Sequence, residues 1–155
     1  MSGSDRRMQV PSTILRCLAG QPVVGTYDQT YPLLTTDPAG YPHVCLLSRA
    51  ELDADEQEIR AVVASAGTIA NLSETGRATL IAVVDDVAHY CKLRADRCWG
   101  SKQKLACSFS VMGHKMDSAG VPLTGMMFHV AEVLPVEETW KENDRLINLL
   151  RSRQV

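Results

Sequence analysis

Four groups of residues in this chain have types and spacings that could do chemistry. The first is Ser65, Thr68 and Asn71, within AVVASAGTIANLSETG. An apolar run ends there and a helical pattern begins. A helix start presents unpaired N–H groups and the positive end of the dipole, so hydroxyls beside it could cradle a phosphate. The plainer alternative is that Thr68 only caps the helix.

The second group is Lys92, Arg94, Arg97, Lys102 and Lys104, with Trp99 among them. Lys92 and Arg94 are two residues apart, share one strand face and could neutralise a phosphate. Basic residues around an aromatic could also meet a nucleic acid, but 16 basic residues stand against 18 acidic ones and the net charge is −2. No nucleic-acid partner is expected, and a solvated polar loop is the plain reading. The third group is a repeated H-x-C, His43-Cys45 and His89-Cys91. Two such strands brought together would supply two imidazoles and two thiolates. Clips of this kind usually sit on turns, and cysteine is a common buried residue without any ligand role, so no metal site is assigned. The fourth is a nucleophile, which five Cys and four His allow on paper. No local signature supports one, and no catalytic residue is assigned.

The elements that must position these groups are organised around residues 30–51. Tyr31, Leu33 and Leu34 form one apolar run, Asp37-Pro38-Ala39-Gly40 a turn, and residues 43–47 a second run. Pro38 pre-sets its φ and Gly40 can take a positive one. Val44, Cys45, Leu46 and Leu47 leave little room for a solvated face, so this strand is expected to be buried on both sides, at the centre of a sheet. Before it, Pro11-Ser12 can open a short helix carrying Ile14, Leu15 and Leu18 and closed by Gly20, and residues 22–27 lead into the hairpin. Residues 51–58 are densely acidic and read as a solvated turn. A strand over 59–65 follows, then a helix from Thr68 to Gly76, and strands over 77–84 and 87–93 across an Asp85-Asp86 turn. Residues 94–104 read as polar and irregular. Residues 105–112 and 126–134 read as two more strands. Residues 137–151 read as an amphipathic helix with Trp140, Leu146, Ile147 and Leu150 inward. Six or seven short strands with peripheral helices make a mainly β barrel or sandwich.

At 155 residues the chain is expected to form one domain over 1–155. No apolar run approaches the roughly 20 residues of a membrane span, and the start reads as no secretory signal. Five cysteines without a C-x-x-C pair suggest reduced thiols, hence a soluble cytoplasmic protein.

The succession LLTTDPAGYPHVCLLS, AVVASAGTIANLSETGRATLIAVV and VAHYCKLR resembles the pyridoxamine 5′-phosphate oxidase-like family of flavin-binding split barrels. The likeness covers residues 22–94 and extends more loosely to LTGMMFHVAEVLP. It implies a six-stranded split barrel and a homodimer holding flavin mononucleotide (FMN) at its interface. It also implies oxidoreductase chemistry on a small molecule. By the same likeness the strand containing His43, Val44, Cys45, Leu46 and Ser48 lies along the flavin ring. The phosphate then falls at the junction of Ser65, Thr68 and Asn71. The oxidases proper carry an Arg-Lys pair where this chain has Gly67 and Thr68, so Lys92 and Arg94 are the expected source of positive charge. A deazaflavin coenzyme is one alternative. A non-catalytic flavin or haem module is another, with His43, His89, His114 or His129 as haem ligands. The segment that binds substrate in the oxidases has no clear counterpart, so vitamin B6 synthesis is not expected.

Overall fold

The computed structural model describes residues 6–20, 25, 27–118, 120–130 and 140–152. Its frame is the pair of antiparallel strands β7 (Val87–Gly100) and β8 (Leu105–Asp117). On one side β7 pairs with β6 (Arg77–Val84), then β2 (Tyr31–Thr36) and β3 (Pro42–Leu47). On the other, β8 pairs with β5 (Ile59–Val63) and then β4 (Leu52–Ala54). The seven strands form one strongly curled antiparallel sheet, a half-barrel of the split-barrel type. A separate ribbon pairs β1 (Tyr27–Gln29) with β9 (Met127–His129). Residues 131–134 of the expected 126–134 strand lie outside the described residues.

Turn chemistry sets the register. Asp85 and Asp86 take positive φ of 51° and 66°, the conformation that matches the twist of a two-residue hairpin. That turn places Thr79 opposite Lys92 and Arg77 opposite Arg94. In the first hairpin Gly40 has φ +88°, and the Asp37 carboxylate accepts the Tyr41 N–H at 2.9 Å.

The interior is filled by Ile14 and Leu18 of α1 (Ser12–Leu18) against Leu33, Leu52, Ile59, Leu80, Phe109 and Val111. A second cluster, Val62 and Ala106 with Leu146, Ile147 and Leu150, seats α3 (Trp140–Arg151) on the opposite face of β5 and β8. The strand buried on both faces is therefore β5, every residue of which is buried.

That corrects the expectation for residues 43–47. β3 is an edge strand with alternating burial, and Val44 and Leu46 are each 50% exposed. A run of apolar residues does not say which sheet position it fills, and here the outward half has no cover among the described residues. Three other expectations also change. Residues 94–104 are not irregular, because β7 continues to Gly100 and turns only over 101–104. The acidic 51–58 stretch is not a solvated turn. Asp53 is 2% and Glu58 5% exposed, and both hold the 3%-exposed Arg60 guanidinium, at 2.6 and 3.0 Å. Burial of these charges is tolerable because each is paired. Arg60 also contacts Asp55, Arg151 reaches Asp53 at 2.6 Å, and Arg97 reaches Glu58 at 3.0 Å. The thiols are not all reduced either. Cys98 and Cys107 face one another across β7 and β8 as a disulfide, with Cα atoms 4.2 Å apart, leaving Cys17, Cys45 and Cys91 free. An odd cysteine count could not reveal that pairing, since it depends on β7 running ten residues past Tyr90.

Candidate functional site

The helix after β5 is α2, Ala66–Thr75. Its cap is Ser65, whose hydroxyl accepts the Thr68 N–H at 3.3 Å, so Thr68 is not the cap. Gly76 closes the helix with φ +65°. Asn71 is buried and donates to the Thr35 hydroxyl at 3.0 Å, which fastens α2 to β2. Thr68 is fully buried and its hydroxyl faces the Cys45 thiol. Burial raises the pKa of that thiol, and the Thr68 contact lowers it only in part, so Cys45 is a protonated thiol near neutral pH. His43 Nε2 lies 3.3 Å from the Ser65 hydroxyl, and its ring covers Gly67. The junction read as a phosphate cradle is thus filled from within by His43.

Beside it, a cavity of about 250 Å³ opens where β3 ends. Cys45, Leu46, Leu47 and Ser48 form one wall, Ala64 and Ser65 another, and Phe128 and Trp140 a third. Ser48 donates through its N–H and hydroxyl to the Glu51 carboxylate, at 3.0 and 2.9 Å, and that carboxylate also lines the cavity. The indole N–H of Trp140 is buried and has no acceptor among the described residues.

Lys92 and Arg94 are not in that cavity. They line a second, larger groove of about 510 Å³ on the outer sheet face, with Arg77, Thr36, Thr79 and Pro42. Pro42 and Ser48 are six residues apart along β3, roughly 20 Å at strand rise. The exposed side of Val44 lies between the two. The two H-x-C pairs do not meet, because β2 and β6 separate β3 from β7. His89 instead pairs with His114, Nδ1 to Nε2, at 2.9 Å.

Of the ten residues expected at the site, Cys45, Leu46, Ser48 and Ser65 line the cavity and Lys92 and Arg94 the groove. His43 and Val44 flank them, while Thr68 and Asn71 are buried supports. Sequence reasoning missed Phe128, Trp140 and Arg77 as wall residues. Arg77 had a signal: a two-residue turn at Asp85-Asp86 puts it opposite Arg94. Trp140 reads from sequence only as part of an apolar stripe, and nothing in the stripe shows where its N–H points.

No family model and no curated protein matches the sequence. Among solved structures, the flavin reductase of styrene monooxygenase from Pseudomonas putida S12 superposes with a TM-score of 0.50. It is 8% identical over 66% of this chain and 87% of its own. An F420 reductase gives 0.48 at 9% identity, over 57% of this chain and 90% of that one. A Clostridium acetobutylicum protein related to general stress protein 26, of the pyridoxinephosphate oxidase family, gives 0.48 at 12% identity, over 68% and 88%. At 8% identity the likeness to the flavin reductase bears on the fold alone.

Proposed function

We propose that this chain binds a flavin-type cofactor at the end of β3 and acts as an oxidoreductase on a small molecule. The observation that carries the reading is the cavity wall. It sets the apolar side chains Leu46, Leu47, Phe128 and Trp140 beside the polar groups of Ser48, Glu51 and Ser65. A planar heteroaromatic ring bearing carbonyl groups satisfies both. About 250 Å³ is below the roughly 300–1,000 Å³ of whole small-molecule pockets, so the cavity suits the ring and not the whole cofactor.

In this reading Cys45, Leu46 and Ser48 hold the ring edge, with Ser65 as a polar contact and Trp140 as an apolar wall. His43, Thr68 and Asn71 keep α2 and β3 in place, and Val44 covers the outer side. Lys92 and Arg94 serve the anionic end. The cofactor supplies the hydride chemistry, while the chain orients it and excludes water. FMN is the first choice. A deazaflavin coenzyme has the same ring shape and is the second. The haem alternative gains no support, since none of His43, His89, His114 or His129 lines the cavity.

The chain acts as a homodimer. Val44 and Leu46 leave an apolar edge strand beside the cavity that has no further neighbour among the described residues and that a second copy would cover. Titration of FMN into the protein, followed by flavin fluorescence, tests the cofactor assignment. Saturable binding supports it, and its absence with both FMN and deazaflavin contradicts it.

A further inference from the structure

We infer that the outer groove across β2, β6 and β7 is a binding site for a phosphate-bearing ligand, with Arg77 as its central cation. Arg77 and Arg94 are direct cross-strand partners, and Lys92, two residues before Arg94, stands on the same face opposite Thr79. Like charges placed opposite each other in a ladder are destabilising. An anion between them reverses the sign of that interaction. Arg94 has the Asp96 carboxylate at 3.4 Å, whereas Arg77 and Lys92 have no acidic partner among the described residues. Among the described residues no acidic side chain lines the groove, and Thr36 and Thr79 are part of its wall.

Lys92 is also held in place. Its cross-strand partner is Gly113, and a Cβ there would meet the Lys92 methylenes at 3.5–3.8 Å. The Lys92 stem therefore lies across a residue without a side chain. A register shift between Lys92 and Leu93 adds a local kink at this point. Three cations less one partial pairing match the charge of a phosphomonoester or pyrophosphate group, and guanidinium forks suit such oxygens. The phosphate has two possible sources. It is the tail of the cofactor, in which case this inference rests on the flavin reading, or it belongs to a separate phosphorylated substrate, in which case it stands alone.

The test is calorimetric titration of inorganic pyrophosphate into the full chain. Wild type is expected to bind it, with affinity at least about tenfold weaker in Arg77→Gln and in Lys92→Gln. Lys141→Gln, on the exposed side of α3, is expected to leave it unchanged. Without anion, Arg77→Gln is expected to raise the melting temperature by removing the repulsion, which separates lost binding from lost folding. FMN and riboflavin titrations then identify the source. If Arg77→Gln abolishes a preference for FMN over riboflavin, the phosphate is the cofactor's. If both flavins bind as before, it belongs to another ligand. Failure of wild type to bind pyrophosphate overturns the inference. So does binding that is indifferent to Arg77→Gln, or equally weakened by Lys141→Gln.

Discussion

The ring of His43 lies over Gly67 so closely that a Cβ there would come within 2.8 Å of its Cε1 and 3.0 Å of its Nε2. The space above the first turn of α2 is thus occupied by an imidazole within hydrogen-bond distance of the helix cap Ser65. Glycine within a helix costs about 1 kcal/mol relative to alanine. Gly67→Ala should recover that only if His43 is absent. In wild type the gain is offset by displacing the ring and its contact with Ser65. A double-mutant cycle by urea unfolding is expected to show Gly67→Ala near neutral alone and stabilising by about 1 kcal/mol in His43→Ala. Additive effects would contradict the contact.

The buried ion network carries its own prediction. Arg60→Met leaves Asp53 and Glu58 buried with part of their charge uncompensated, at a cost of about 3–5 kcal/mol. Urea unfolding measures this directly. A cost below 1 kcal/mol would mean that water reaches the site.

Acid should destabilise the protein in two stages. Burial raises the Asp55 carboxyl, but N–H donation from Gln57 and Glu58 and the charge of Arg60 outweigh it, so its folded pKa lies below the ordinary value. Its contribution is full above the unfolded pKa of about 3.9 and is lost as pH falls through the folded one. His89 is lowered by burial and by His114. The unfolded chain takes up that proton first, so stability begins to fall as pH drops below about 6.5. Melting temperature against pH should lose its upper stage in His89→Gln and its lower stage in Asp55→Asn. A flat profile between pH 6.5 and 5 would contradict the first assignment.

Thiol chemistry is equally direct. Denatured, unreduced protein is expected to show three free thiols, Cys17, Cys45 and Cys91, and all five only after reduction. In the native protein Cys91 should be alkylated slowest of the three, since burial pushes its thiol up to about 12. Five reactive thiols before reduction would exclude the Cys98–Cys107 bridge.

Much of this fold was legible. The turn at Asp85-Asp86, the hairpin at Asp37 to Gly40 and the stripe of Leu146, Ile147 and Leu150 follow from local rules, and the structure has all three. What sequence could not show depends on distant partners. Leu46 and Val62 are both aliphatic residues in apolar runs, yet one is half exposed and the other covered by α3. Asp53 and Glu58 look solvated until Arg60, Arg97 and Arg151 converge on them. At the site, the β3 residues could be named from their run, whereas Trp140 came from a helix nearly a hundred residues away.

Flavin fluorescence during titration of FMN into wild type and Trp140→Ala measures the assignment of the cavity most directly. Saturable binding by wild type is expected, with affinity at least about tenfold weaker in Trp140→Ala through loss of the indole wall. No saturable binding by wild type of either FMN or a deazaflavin, or equal affinity in the variant, would contradict the assignment of the cavity.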